Sequence, residues 1–144
     1  HASGIPWDDA SGNRLRQWLA MEPEQFYDES RVAIVPMGFC YPGRGASGDL
    51  PPPPQCAPLW HARLLELMPQ VELVLLVGSY AQNYYLGRST ETLAQRVRRS
   101  ADFGPRYFPL PHPSPRNTLW LRRNPWFEQE VVPSLRERLS ALQP

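Results

Sequence analysis

Apolar positions along this chain alternate between helical and strand rhythms. Leu15, Trp18 and Leu19 recur at helical spacing, which predicts a helix over residues 13–21 with Ser11 as its cap. A short acidic segment at 22–30 follows, and residues 31–35 (RVAIV) read as a buried strand. Residues 38–57 form a long loop rich in Gly and Pro. Pro58 suits the first turn of a helix running through Trp60, Leu64, Leu65 and Leu67. Residues 71–77 (VELVLLV) are almost continuously apolar, the pattern of a central parallel strand. Helices are predicted at 80–86 and 90–99, a strand at Tyr107–Leu110 and a last helix capped by Asn124 and Pro125. In that last helix Val132, Leu135, Leu139 and Leu142 share a face, and Pro133 either kinks it or restarts it after a short first piece. Strands alternating with helices predict an α/β fold: a three-layer α/β/α sandwich with a mainly parallel central sheet. In such sheets ligands sit beyond the carboxyl ends of the strands, where residues 78–82 and 112–117 both fall.

A chain of 144 residues is a single domain by length, 1–144. No apolar run approaches the roughly 20 residues of a membrane span, and no charged-then-apolar leader opens the sequence. A soluble, cytoplasmic monomer without membrane contact is expected. The 18 prolines cluster at 51–54 and 109–115, so they shape loops. Net charge is only +1, yet it is unevenly spread. Residues 88–123 hold eight Arg against two acids, whereas 1–87 hold five Arg against nine acids. Clustered Arg is the footprint of phosphate contact. For Arg96, Arg98 and Arg99 a solvated helix face explains the charge equally well. There is no Lys, and so no side-chain amine to form a Schiff base with an opened sugar.

The densest chemistry is the string HPSPRN at 112–117. Pro111, Pro113 and Pro115 fix φ and remove backbone donors, and each holds the residue before it extended. His112 and Ser114 therefore sit on stiff backbone, followed by Arg116 and Asn117, as a preorganised polar site requires. A hydrolase with Ser114 as nucleophile is disfavoured, because no orienting acid adjoins the pair and no G-x-S-x-G elbow exists.

HPSPRN resembles motif 2 of the uracil-DNA glycosylase superfamily, in the form associated with its single-strand-selective monofunctional branch. GSYAQ at 78–82, after the apolar strand, is similar to the segment that precedes motif 2 in the common bacterial and eukaryotic enzymes. SGIPWDDASGNRL at 3–15 resembles the G-x-P-F…A-G…L segment of the iron–sulfur class, with Trp7 in place of the aromatic that stacks on the base. The resemblance implies a monofunctional DNA glycosylase acting on uracil or another deaminated base, with DNA containing a damaged base as its partner. It assigns His112 to the base O2 as a hydrogen-bond donor and Ser79, Gln82 and Ser114 to the DNA, the two serines on flanking phosphates. Arg116 with Asn117 would fill the space left by the extruded nucleotide. Core packing is as good a reading of Trp7 as base stacking, and Gln82 with Tyr80 could equally cap the strand end. Where iron–sulfur relatives carry an Asn that reads the base edge, this chain has VPMGF at 35–39, so Phe39 or the backbone would take that place.

Two cysteines alone are too few for a metal site of about four ligands. The resemblance adds a context: Cys40 and Cys56 match the second half of a four-cysteine segment, implying a [4Fe-4S] cluster in the full-length form. Motif 1, with its water-orienting residue, and the first cysteine pair have no counterpart, so an N-terminally truncated chain of weak or no activity is expected. The alternative reading is a non-catalytic, DNA-binding or damage-sensing relative on the same scaffold.

Overall fold

A computed structural model describes residues 4–37, 44–45, 48–49 and 56–142. In chain order the elements are α1 (Ala10–Leu19), α2 (Pro23–Phe26), β1 (Arg44–Gly45), β2 (Gly48–Asp49), α3 (Cys56–Glu66), β3 (Val74–Val77), α4 (Ser79–Leu86), α5 (Leu93–Arg98), β4 (Tyr107–Leu110), α6 (Thr118–Arg123) and α7 (Val132–Leu142). Short 3-10 turns occupy Ser100–Phe103 and Pro115–Asn117, and a π-helical turn occupies Phe127–Val131.

The site is organised by β3 and β4, which pair in parallel with Val74 opposite Tyr107 and Val77 opposite Leu110. Leu76, Phe108 and Leu110 are buried, as the apolar run required. Pro109 has no N–H to donate, which an edge position tolerates. Among the described residues the molecule is thus a mixed helix–strand fold around a small parallel sheet, with β1 and β2 forming a separate antiparallel pair. Residues 31–35 pair with no described strand. A strand exists only where a neighbour supplies its ladder, and apolar alternation alone does not.

Asp9, rather than Ser11, caps α1: its Oδ1 accepts from the Gly12 N–H at 2.9 Å, while Ser11 lies buried inside the helix. Leu15, Trp18 and Leu19 form the buried face, joined in the core by Phe26, Val97, Leu121, Phe127 and Leu135. The guanidinium of Arg136 on α7 donates to the carbonyls of Gln17 and Trp18, satisfying the open end of α1. Thr92 and Gln95 build a reciprocal capping box at the start of α5. Helix α6 was not expected from the apolar pattern. It begins directly on the turn that ends HPSPRN, so the proline string leads into a helix. Pro133 does not break the last helix. It follows a π-helical turn, where the register change accommodates the missing N–H.

Candidate active site at the carboxyl ends of the parallel strands

Beyond Val77 and Leu110 the chain opens a cleft of about 360 Å³, lined by Gly78, Ser79, Leu93, Pro111, His112, Asn117 and Trp120. Pro111 and Pro113 are fully buried, so they anchor the loop from below while His112 between them keeps part of its surface open to solvent. Gly78 adopts φ 87°, which opens a tight passage from β3 into α4 beside the His112 ring. Its N–H donates to the Leu110 carbonyl at 2.9 Å, tying the two strand ends together.

The His112 ring is held through one nitrogen. The Ser114 backbone N–H donates to Nδ1 at 3.1 Å. A backbone N–H can only donate, so Nδ1 must be the acceptor. The ring is then neutral and carries its proton on Nε2. Partial burial disfavours the imidazolium and lowers its pKa from the ordinary histidine value, with Asp9 pulling weakly the other way. His112 is therefore a neutral N–H donor at a rigid position.

Trp7 lies beside it, the ring centroids 5.4 Å apart and the planes inclined by 34°. Trp7 sits at φ 62°, a left-handed conformation costly for a bulky residue. Two residues of α1 hold it there. Arg16 donates to the Trp7 carbonyl at 3.0 Å, and Gly12 leaves room for that carbonyl, which a Cβ would meet at 1.6 Å. Trp7 is half-buried and packs against the core, with its ring also beside His112.

The remaining expected residues divide. Ser79 lines the cleft at the first turn of α4 and is exposed. Ser114 caps the 3-10 turn, its hydroxyl accepting from the Arg116 N–H at 3.2 Å. Asn117 turns inward and donates to the His112 carbonyl at 2.7 Å, which commits it to bracing the loop. Arg116 is exposed at the turn. Direct DNA contact does not fit Gln82: it is 1% exposed, and its Nε2 donates to the Leu76 and Leu110 carbonyls. It clamps the strand ends. Phe39 and Cys40 lie outside the described residues. Cys56 opens α3, and its side chain is likewise outside them. Among the described residues no cluster of His, Cys, Asp or Glu could hold a metal ion.

Several residues of the site carried no signal in the sequence. Arg14 donates to the Ser114 carbonyl and to Thr118, bracing the histidine loop from a residue 100 positions away. Leu93 and Trp120 line the cleft from α5 and α6. Only tertiary contact reveals such roles. Part of the basic segment is engaged within the fold: Arg99 pairs with Glu91 and Asp102, Arg98 lies over the Trp126 ring, and Arg106 donates to the Val71 carbonyl, while Arg88, Arg116, Arg122 and Arg123 are exposed. No helix among the described residues is long and apolar enough to cross a membrane. A protein-family model described as the Uracil DNA glycosylase superfamily matches residues 1–136.

Proposed function

This chain belongs to the Uracil DNA glycosylase superfamily, and from that premise we propose that it is a monofunctional DNA glycosylase that hydrolyses the N-glycosidic bond of uracil or another deaminated base. The observation that carries this reading is the His112–Ser114 hydrogen bond, which leaves the imidazole with an Nε2–H donor at the rim of a cleft. In the reaction the bond between the sugar C1′ and the base nitrogen breaks, and its electron pair leaves with the base. Negative charge gathers on the base oxygens while the sugar becomes oxocarbenium-like. A fixed donor aimed at that oxygen stabilises the transition state more than the ground state. Water then adds hydroxyl to C1′, and its proton completes the base.

The target must leave the base stack first. In this reading Trp7 stacks on the extruded base, an interaction of roughly 1–3 kcal/mol. Ser79 and Ser114 hold flanking phosphates, and Arg116 fills the vacated space in the strand. Phe39 would contact the base edge. Cys40 and Cys56 would be two of four thiolates around a structural [4Fe-4S] cluster, to be checked by iron content and visible absorbance. The three-layer sandwich belongs to the same proposal.

Release of free base from single-stranded oligonucleotides carrying uracil, hypoxanthine or xanthine tests it, using protein expressed from its complete reading frame. Time-dependent release of at least one of these bases is expected. Tight, salt-sensitive binding with no release of any base would instead make the protein a damage sensor.

A further inference from the structure

Helix α4 (SYAQNYYL) holds no charged residue. Its solvent face is made by Ser79, Tyr80, Asn83 and Tyr84, with Arg88 exposed just past its end. The outer face of a surface helix is ordinarily charged. This one carries two tyrosines instead, 54% and 41% exposed. They stand four residues apart, so they are neighbours on one face of the helix. Cα–Cβ bonds lean toward a helix's N-terminus, and α4 starts at Gly78 and Ser79 in the wall of the His112 cleft. Both side chains therefore belong to the surface that leads out of that cleft.

The Tyr84 ring is held from behind. It meets the Tyr85 ring edge-on, with centroids 4.9 Å apart, and the His61 ring at 5.9 Å. Those two are themselves locked. His61 on α3 is 3% exposed; its Nε2 donates to the Pro36 carbonyl at 2.7 Å, and the Tyr85 hydroxyl bonds its Nδ1 at 2.6 Å. A carbonyl only accepts, so Nε2 carries the proton and Nδ1 takes the Tyr85 O–H. Burial pushes the Tyr85 hydroxyl up to about 12, which keeps its proton on oxygen near neutral pH. An exposed ring anchored on such a buried pair has little freedom left to lose when a flat ligand covers it.

A nucleobase of any identity stacks on an aromatic face. Inside a duplex those faces are covered by neighbouring base pairs, so an unpaired base is the partner that fits. Helix α4 adds no carboxylate to repel the backbone, and Arg88 adds a cation at its far end. We propose that the exposed face of Tyr84, beside Tyr80, is a stacking platform for an unpaired base of the strand whose extruded base enters the His112 cleft. The inference rests on the glycosylase reading and extends it to a site outside the cleft.

The test uses single-stranded oligonucleotides carrying 2′-fluoro-2′-deoxyuridine, whose glycosidic bond resists cleavage. Bases flanking that nucleotide are replaced in turn by an abasic spacer. With wild-type protein, one particular spacer weakens binding about tenfold. Tyr84→Ala weakens binding of the unmodified strand by a similar factor and is indifferent to that spacer. Tyr84→Phe, which keeps the ring and loses the hydroxyl, binds as wild type does. A duplex that pairs the same base binds wild type and Tyr84→Ala equally. Wild-type sensitivity to every spacer in Tyr84→Ala overturns the platform, as does a Tyr84→Ala loss as large on the duplex as on the single strand. Base release with no Tyr84-dependent position removes the platform alone. A position-specific Tyr84 effect without base release keeps the platform and removes the glycosylase.

Discussion

The two nitrogens of His112 do different work. Nδ1 takes the Ser114 N–H and fixes the ring, which leaves Nε2–H for a ligand. A neutral ring suffices, since a hydrogen bond to developing charge needs a donor and not a cation. Because burial lowers the His112 pKa and Asp9 opposes that shift, Asp9→Asn should move the pKa further down. Asparagine caps helices as well as aspartate, so α1 should persist. Titration of the His112 ring resonances measures this; an unchanged or higher pKa in the variant would contradict the assignment. His112 and Ser114 were legible because prolines surround them and leave the backbone few choices. The bracing by Arg14 and the pull of Asp9 on His112 were not, since those partners lie far apart in the sequence. For Gln82 the sequence left DNA contact and capping of the strand end open, and burial decides for the strand end.

At the level of elements, α1 braces both the Trp7 turn beside the His112 ring and the loop that carries His112. Arg16 and Gly12 set the Trp7 turn, and Arg14 braces the loop after His112. Gly12→Ala puts a methyl against the Trp7 carbonyl, at a position the helix backbone cannot vacate. The expected cost is about 1–3 kcal/mol of stability, together with loss of Trp7 fluorescence quenching by bound oligonucleotide. Thermal denaturation and fluorescence titration check both, and wild-type behaviour in either would show that the turn relaxes freely. The helical face of α1 and strands β3 and β4 could be read from apolar periodicity, which burial enforces directly. Residues 31–35 could not, because their apolar pattern does not say whether a partner strand is present. Helix α6 was hidden because its start is set by the preceding 3-10 turn and not by an apolar stripe.

For the whole molecule, only part of the basic segment stays open: Arg88, Arg116, Arg122 and Arg123 are exposed. Arg98, Arg99 and Arg106 are engaged within the fold, and Arg96 is buried. Net charge and clustering report a nucleic-acid partner only after each guanidinium's neighbours are known. The complete absence of Lys in these residues remains informative. Base removal should leave an intact strand with an abasic site, and borohydride should trap no covalent protein–DNA adduct; a trapped adduct would show an amine nucleophile at work. The most direct test is single-turnover release of base from a uracil-containing single strand by wild type and His112→Ala. The substitution should slow release by about 100- to 1,000-fold while affinity for a strand carrying an uncleavable uridine analogue is retained. Release at the wild-type rate from the alanine variant would contradict it.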